Sequence, residues 1–171
     1  LSDFAHERIL AHNAKPSFLR YHPSGSASPY PAALCVSVND EVVHAIPSPK
    51  RVLKEGDIVG LDLGLWHGGM CVDAAVTVGV GAIGTAAQKL IDVTRQSLSE
   101  GIAAVKNGAR PGDIGFAIGS YVEKNGFGVV RDLAGHGVGY QVHEDPLIVN
   151  FGKKGTEELQ QQCKLEILSL F

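Results

Sequence analysis

Hydrophobic positions along the chain change period several times, and each change predicts an element. Leu1, Phe4, Ala5, Ile9 and His12 recur at helical spacing, so residues 1–13 read as an amphipathic helix whose stripe is already running at Leu1. Residues 22–32 are rich in proline, serine and glycine and read as a loop. Alternation then takes over. Ala33–Val38 and Glu41–Ile46 predict two strands around an Asn39-Asp40 turn, and Asp57–Trp66 and Met70–Val80 a longer hairpin around His67-Gly68-Gly69. Thr85 to about Lys106 predicts a long helix with Ala87, Leu90, Ile91, Thr94, Leu98, Ile102 and Val105 on one face. Asp113 caps a second helix over 113–125 that stops at Gly126. Phe127–Asp132 and Pro146–Phe151 predict two more strands, separated by the glycine-rich run 135–139. The fold class implied is α+β with antiparallel pairing.

Composition narrows the function. The 171 residues are 44% hydrophobic and 19% charged, which excludes a disordered chain. Fifteen basic against 18 acidic residues give no nucleic-acid footprint. No apolar run approaches the roughly 20 residues of a membrane span. Cys35, Cys71 and Cys163 are far apart, form no CxxC, and suit a reducing cytoplasm better than a disulfide framework. The one unusual count is 21 glycines, about 12% against an average near 7%.

The hairpin 57–80 carries the most chemistry. With a two-residue turn at His67-Gly68, Leu65 pairs with Met70, Leu63 with Val72, Leu61 with Ala74 and Val59 with Val76, an apolar face that pins the register. The same register sets Asp62 directly opposite Asp73, among Gly60, Gly64, Cys71 and Ala75. Opposed like charges are destabilising, so a shared proton or bound divalent cations must neutralise them. A turn at Gly68-Gly69 would move the pair to diagonal positions and keep both on one face.

Of seven histidines, His6, His12, His22 and His67 read as surface residues. The pattern of strand 41–46 does not settle which way His44 points. His136 stands between Gly135 and Gly137, with His143 seven residues on and Glu144-Asp145 after it. An imidazole there is a candidate metal ligand or acid–base group. The run Gly79-Val80-Gly81-Ala82-Ile83-Gly84 matches GxGxxG. A second helix follows before any strand, so it reads as a hairpin exit and not as a dinucleotide fingerprint.

These segments together resemble type I methionine aminopeptidases, members of the pita-bread metallopeptidase family. The resemblance rests on Pro16–Leu19 with Tyr21-His22, on Leu34–Pro47 around His44, on Gly56–Val59 with Asp62 and Asp73, and on Gly135–Gly139 through His143–Pro146. It implies a pita-bread fold, an antiparallel sheet with helices on one face. It implies a single catalytic domain over 1–171 that removes the N-terminal methionine from nascent proteins in the cytoplasm. Two divalent ions (Mn, Fe(II) or Co) would be held by Asp62, Asp73 and His136. His44 and His143 would contact substrate and the developing tetrahedral centre. Phe18, Tyr21, Tyr30 and Cys35 would accept the methionine side chain. The implied partners are a peptide or nascent chain with N-terminal methionine, and the ribosome.

The family continues through two further glutamate ligands. By spacing the first falls near Ser169, where Glu166 is the nearest carboxylate, and the second has no counterpart. The resemblance therefore implies a fold incomplete at both ends, with weak metal binding and little hydrolysis by the chain as it stands. A second function class fits the same departure: an inactive pita-bread domain acting as a binding module, or a non-functional gene fragment. The presence of His44, Asp62, Asp73, His136 and His143 argues for the enzyme.

Overall fold

The computed structural model describes residues 1–23 and 25–156. They form α1 (Ser2–Ala11), β1 (Lys15–Pro16), β2 (Cys35–Val38), β3 (Ile58–His67), β4 (Met70–Gly79), α2 (Thr85–Ala104), α3 (Pro111–Lys124), β5 (Ala134–Gly137) and β6 (Glu144–Val149). The chain divides into two compact units, one of residues 1–84 with 138–142, the other of residues 85–137 with 143 onward.

In the first unit β3 is the central strand. β4 pairs along its whole length, so β2 and β1 share its other edge, β2 against Val59–Asp62 and β1 against Leu65–Trp66, all antiparallel. Alternation then sorts the side chains. On one face Val59, 1% exposed, joins Leu34, Val36 and Val38, with Ala5 of α1, Leu61 and Leu63 packed against them. The other face carries Asp62, Gly64, Cys71 and Asp73.

The hairpin turn lies at Gly68-Gly69, not at His67-Gly68. Ile58 pairs with Gly79, Leu65 with Val72, Asp62 with Ala75 and Gly64 with Asp73. Both turn glycines have positive φ, 58° and 85°. A two-residue hairpin turn of this kind needs the left-handed region at both central positions, which glycine enters freely and His67 would not. The opposed Asp62–Asp73 pair is thereby corrected to a diagonal one on the same face.

Strand 41–46 does not form. The edge of β2 that would have received it is taken locally at Val38, whose N–H donates to Glu41 Oε2 (2.9 Å), and Ala45 N–H donates to the Ser37 side chain (Oγ, 3.4 Å) in place of a β2 carbonyl. Val36 N–H also reaches across, to Ala45 O. His44 itself sits at φ 56°, which no strand continues through.

In the second unit α2 and α3 pack together, and α3 packs on β6. The buried side of α2 is Ile91, Val93, Ser97 and Gly101, while Leu90, Ile102 and Val105 stay exposed. The predicted stripe is corrected because α3 comes close: a Cβ on Gly101 would stand 2.8 Å from Ile118 Cδ1. Small residues therefore line the contact. Residues 127–132 form no strand. Val129 packs against Ala134, Val149 and Phe151 as the alternation suggests, but β5 takes β6 as its ladder partner.

α3 starts at Pro111 rather than Asp113. Asp113 lies in its first turn, accepting Arg110 N–H (2.9 Å) and Gly155 N–H (2.8 Å). These bonds, Arg110's first, hold its carboxyl below the usual carboxylate range. A carboxyl lowered in the fold contributes stability above its unfolded value, near pH 3.9, that is lost as pH falls through the folded one. Asp113→Asn should lower the melting temperature at pH 7 and lose less on acidification than the wild type, measured by calorimetry from pH 7 to 3.

Candidate active site

The carboxylate face of the hairpin is built from small residues for a steric reason. A Cβ on Gly64 would lie 2.6 Å from Phe18 Cε1 and closer still to Ser17 Oγ. Glycine there lets Phe18 lie on the sheet beside both aspartates. Asp62 is buried at 9% exposure and Asp73 is half-buried. Diagonal positions on one face of such a ladder are about 7–8 Å apart. That spacing eases the repulsion expected of an opposed pair and leaves room between the carboxyls.

Phe18, Cys35, Cys71 and Val142 form a buried apolar cluster with Tyr21, Tyr30 and Trp66 packed against it. Four of these seven, Phe18, Tyr21, Tyr30 and Cys35, are the predicted side-chain acceptors, and the structure brings them together. Cys35 is the cross-strand partner of Asp62, so the cluster adjoins the carboxylates. Cys71 and Trp66 complete it from the same face of the hairpin, where period-two alternation with Asp73 and Asp62 already puts them. Val142 has no such signal. It comes from the segment 138–142, whose Gly139 carbonyl accepts Cys71 N–H at 2.7 Å.

Burial keeps this cluster uncharged. It pushes the Cys35 thiol up to about 12, with the negative charges of Asp62 and Asp73 adding and a hydrogen bond to Tyr30 opposing. It raises Tyr21, and also Tyr30, whose hydrogen bond with Cys35 raises it further. Tyr30 donates its hydroxyl proton to Ala45 O (3.0 Å), tying the cluster to the backbone beside His44. His44 is half-buried.

His136 and His143 lie in the second unit, ring centroids 4.4 Å apart and planes tilted 59°. His136 Nδ1 lies 2.9 Å from the carbonyl of Gly137. A carbonyl only accepts, so Nδ1 is the donor in this contact, and Nε2 is the nitrogen left for a metal.

Asp62 Oδ1, Asp73 Oδ1 and His136 Nε2 are buried polar atoms outside any hydrogen bond, although all three side chains have interactions. Carboxylate oxygens with one imidazole suit first-row divalent cations. No group of three or more His, Cys, Asp and Glu side chains that could hold an ion is found among the described residues. Within the first unit Asp62 and Asp73 are the two carboxylates that share this face. The glutamate position near Ser169, and Glu166 as its nearest carboxylate, lie outside the described residues.

The model of metallopeptidase family M24 matches residues 2–165. The chain belongs to that family. Methionine aminopeptidase B of Synechocystis sp. is 44% identical over 156 residues, covering 91% of this chain and 57% of that protein. The crystal structure of methionine aminopeptidase from Rickettsia prowazekii superposes with TM-score 0.85 at 40% identity, over 91% of this chain and 60% of that one. That from Thermotoga maritima gives TM-score 0.81 at 45% identity, over 88% and 58%. The M24 chain thus has the α+β pita-bread fold, and its family is one of divalent-metal peptidases. It spans less than two thirds of the length of each of these relatives. Among the described residues no helix is long and apolar enough to cross a membrane.

Proposed function

We propose that this M24 chain carries, as a single catalytic domain, the activity of its relatives: hydrolysis of the first peptide bond of chains that begin with methionine. The observation that carries the reading is the apolar, uncharged cluster of Phe18, Tyr21, Tyr30 and Cys35 set beside Asp62 and Asp73 on one sheet face. A flexible thioether side chain is what such an aromatic and sulfur-lined cluster accepts.

In this proposal Asp62, Asp73 and His136 are ligands of two divalent ions, Mn, Fe(II) or Co. Such ions, when bound, polarise a scissile carbonyl and activate water. The chain's own residues do the rest. The cluster takes the first side chain and excludes water from it. His44 holds the substrate amide, and His143 stabilises the oxyanion or donates a proton to it. A cytoplasmic location, nascent chains as substrates and ribosome association belong to the same proposal.

The test follows which bond is cut and what the cut requires. Incubated with a methionyl tripeptide, the chain as it stands should release free methionine slowly, only when Mn(II), Fe(II) or Co(II) is supplied, and not from the N-acetylated peptide. Cleavage at an internal bond, cleavage without metal, or no release with metal present contradicts it.

A further inference from the structure

Tyr140 is 82% exposed, the most exposed of the large hydrophobic side chains among the described residues. It is displayed on a held backbone. On one side Gly139 is fixed through its carbonyl to Cys71 N–H at 2.7 Å, and Gly139 N–H reaches Gln141 O at 3.3 Å, tightening the turn. On the other side Val142 is buried in the apolar cluster with Phe18, Cys35 and Cys71. Both anchors, Cys71 and Val142, are cluster residues, so the turn that carries Tyr140 borders the cluster. Two residues of chain span at most about 7 Å, which bounds the distance from the Cα of Tyr140 to that of Val142. A peptide whose first side chain fills the cluster advances by a similar step for each two residues. By its second or third residue it is therefore long enough to span to this turn. An exposed aromatic on a fixed turn offers a large contact area at low entropic cost, together with a polar tip.

We propose that Tyr140 is a specificity-determining residue that receives the second and third residues of the peptide. The chain then binds methionyl peptides more tightly than methionine alone. The inference rests on the cluster being the methionine acceptor.

Trp66 is the sole tryptophan and packs against the cluster, so its emission reports occupancy. The chain is titrated with L-methioninamide and with the amide of Met-Ala-Ser, in EDTA so that no bond is cut. Wild type, Tyr140→Ala and Tyr140→Phe are compared. Both ligands should perturb Trp66 in the wild type, with the tripeptide about fivefold or more tighter, the scale of one aromatic contact. Tyr140→Ala should remove that gain and leave methioninamide within about twofold, while Tyr140→Phe should keep most of it. Methioninamide without effect on wild-type emission overturns the acceptor reading, and this inference with it. Methioninamide binding with a tripeptide no tighter in the wild type, or equally tight in Tyr140→Ala, overturns the inference alone. Equal weakening of both ligands does so too, since a structural role would act on both.

Discussion

Replacing Asp73 with alanine should cost the chain its hold on divalent cations. Asp62 and Asp73 are diagonal on one face, and their neighbours Gly60, Gly64 and Ala75 offer no countercharge. A cation between two carboxylates is held by both, and one carboxylate alone is an ordinary surface-strength site. Loss of a group that merely hydrogen-bonds a metal ligand already costs about 10- to 100-fold in affinity, so loss of a ligand should reach at least the upper end of that range. The apo chain should respond in the opposite sense. Removing one of two like charges on a shared face relieves part of their mutual repulsion. Wild type should therefore melt higher as Mn(II) is added, by mass action on the folded state. Asp73→Ala should melt at or above the wild type without metal and gain nothing from it. Calorimetric melts across a Mn(II) series measure both limbs. An Asp73→Ala chain that binds Mn(II) as the wild type does would remove Asp73 from the site.

Gly115→Ala should be the most damaging single methyl in the second unit. α3 meets the segment after β6 through Gly112, Gly115 and Gly119. A Cβ at Gly115 would fall within 2.5 Å of Val149 O, and as close to Phe151 O. The obstructing atoms are backbone carbonyls, one of them in β6, and they have no rotamer to change. Overpacking a core costs about 1–3 kcal/mol where side chains can yield, and here the upper end or more is expected. The helix-propensity gain of alanine over glycine, near 1 kcal/mol, only partly offsets it. At roughly 2–4 °C per kcal/mol for a chain of this size, the melting temperature should fall by several degrees. Gly128→Ala is the control: nothing lies within 4 Å of a Cβ there, so it should stay close to wild type. A Gly115→Ala chain as stable as Gly128→Ala would mean that α3 and β6 are not in this contact.

The hairpin that carries the aspartates was readable because alternation is a local property. Any even shift of register keeps Asp62, Gly64, Cys71 and Asp73 on one face, so the face was secure while the pairing was not. What decided the pairing was turn chemistry, the ability of Gly68 and Gly69 to take positive φ where His67 could not. Strand 41–46 failed for a reason that periodicity does not contain: side chains take the ladder's place, Glu41 accepting Val38 N–H of β2 and Ser37 accepting Ala45 N–H. The stripe on α2 was misplaced because apolarity marks what can be buried, whereas close helix contact selects Gly101 and Ser97. In the site, Phe18, Tyr21, Tyr30 and Cys35 were found through the resemblance. Trp66 and Cys71 were available from alternation alone. Val142 and Tyr140 depend on a loop returning from far along the chain to Cys71, a long-range contact with no local mark in the sequence.

The central claim is that the Asp62–Asp73 face is a divalent-cation site. Substoichiometric Mn(II) added to the ¹⁵N-labelled chain tests it directly, because the paramagnetic ion broadens the amides nearest to it. The account predicts selective loss of signal from residues 60–64 and 71–75, abolished in Asp73→Ala. Broadening centred elsewhere, or none at these two strands, would contradict it.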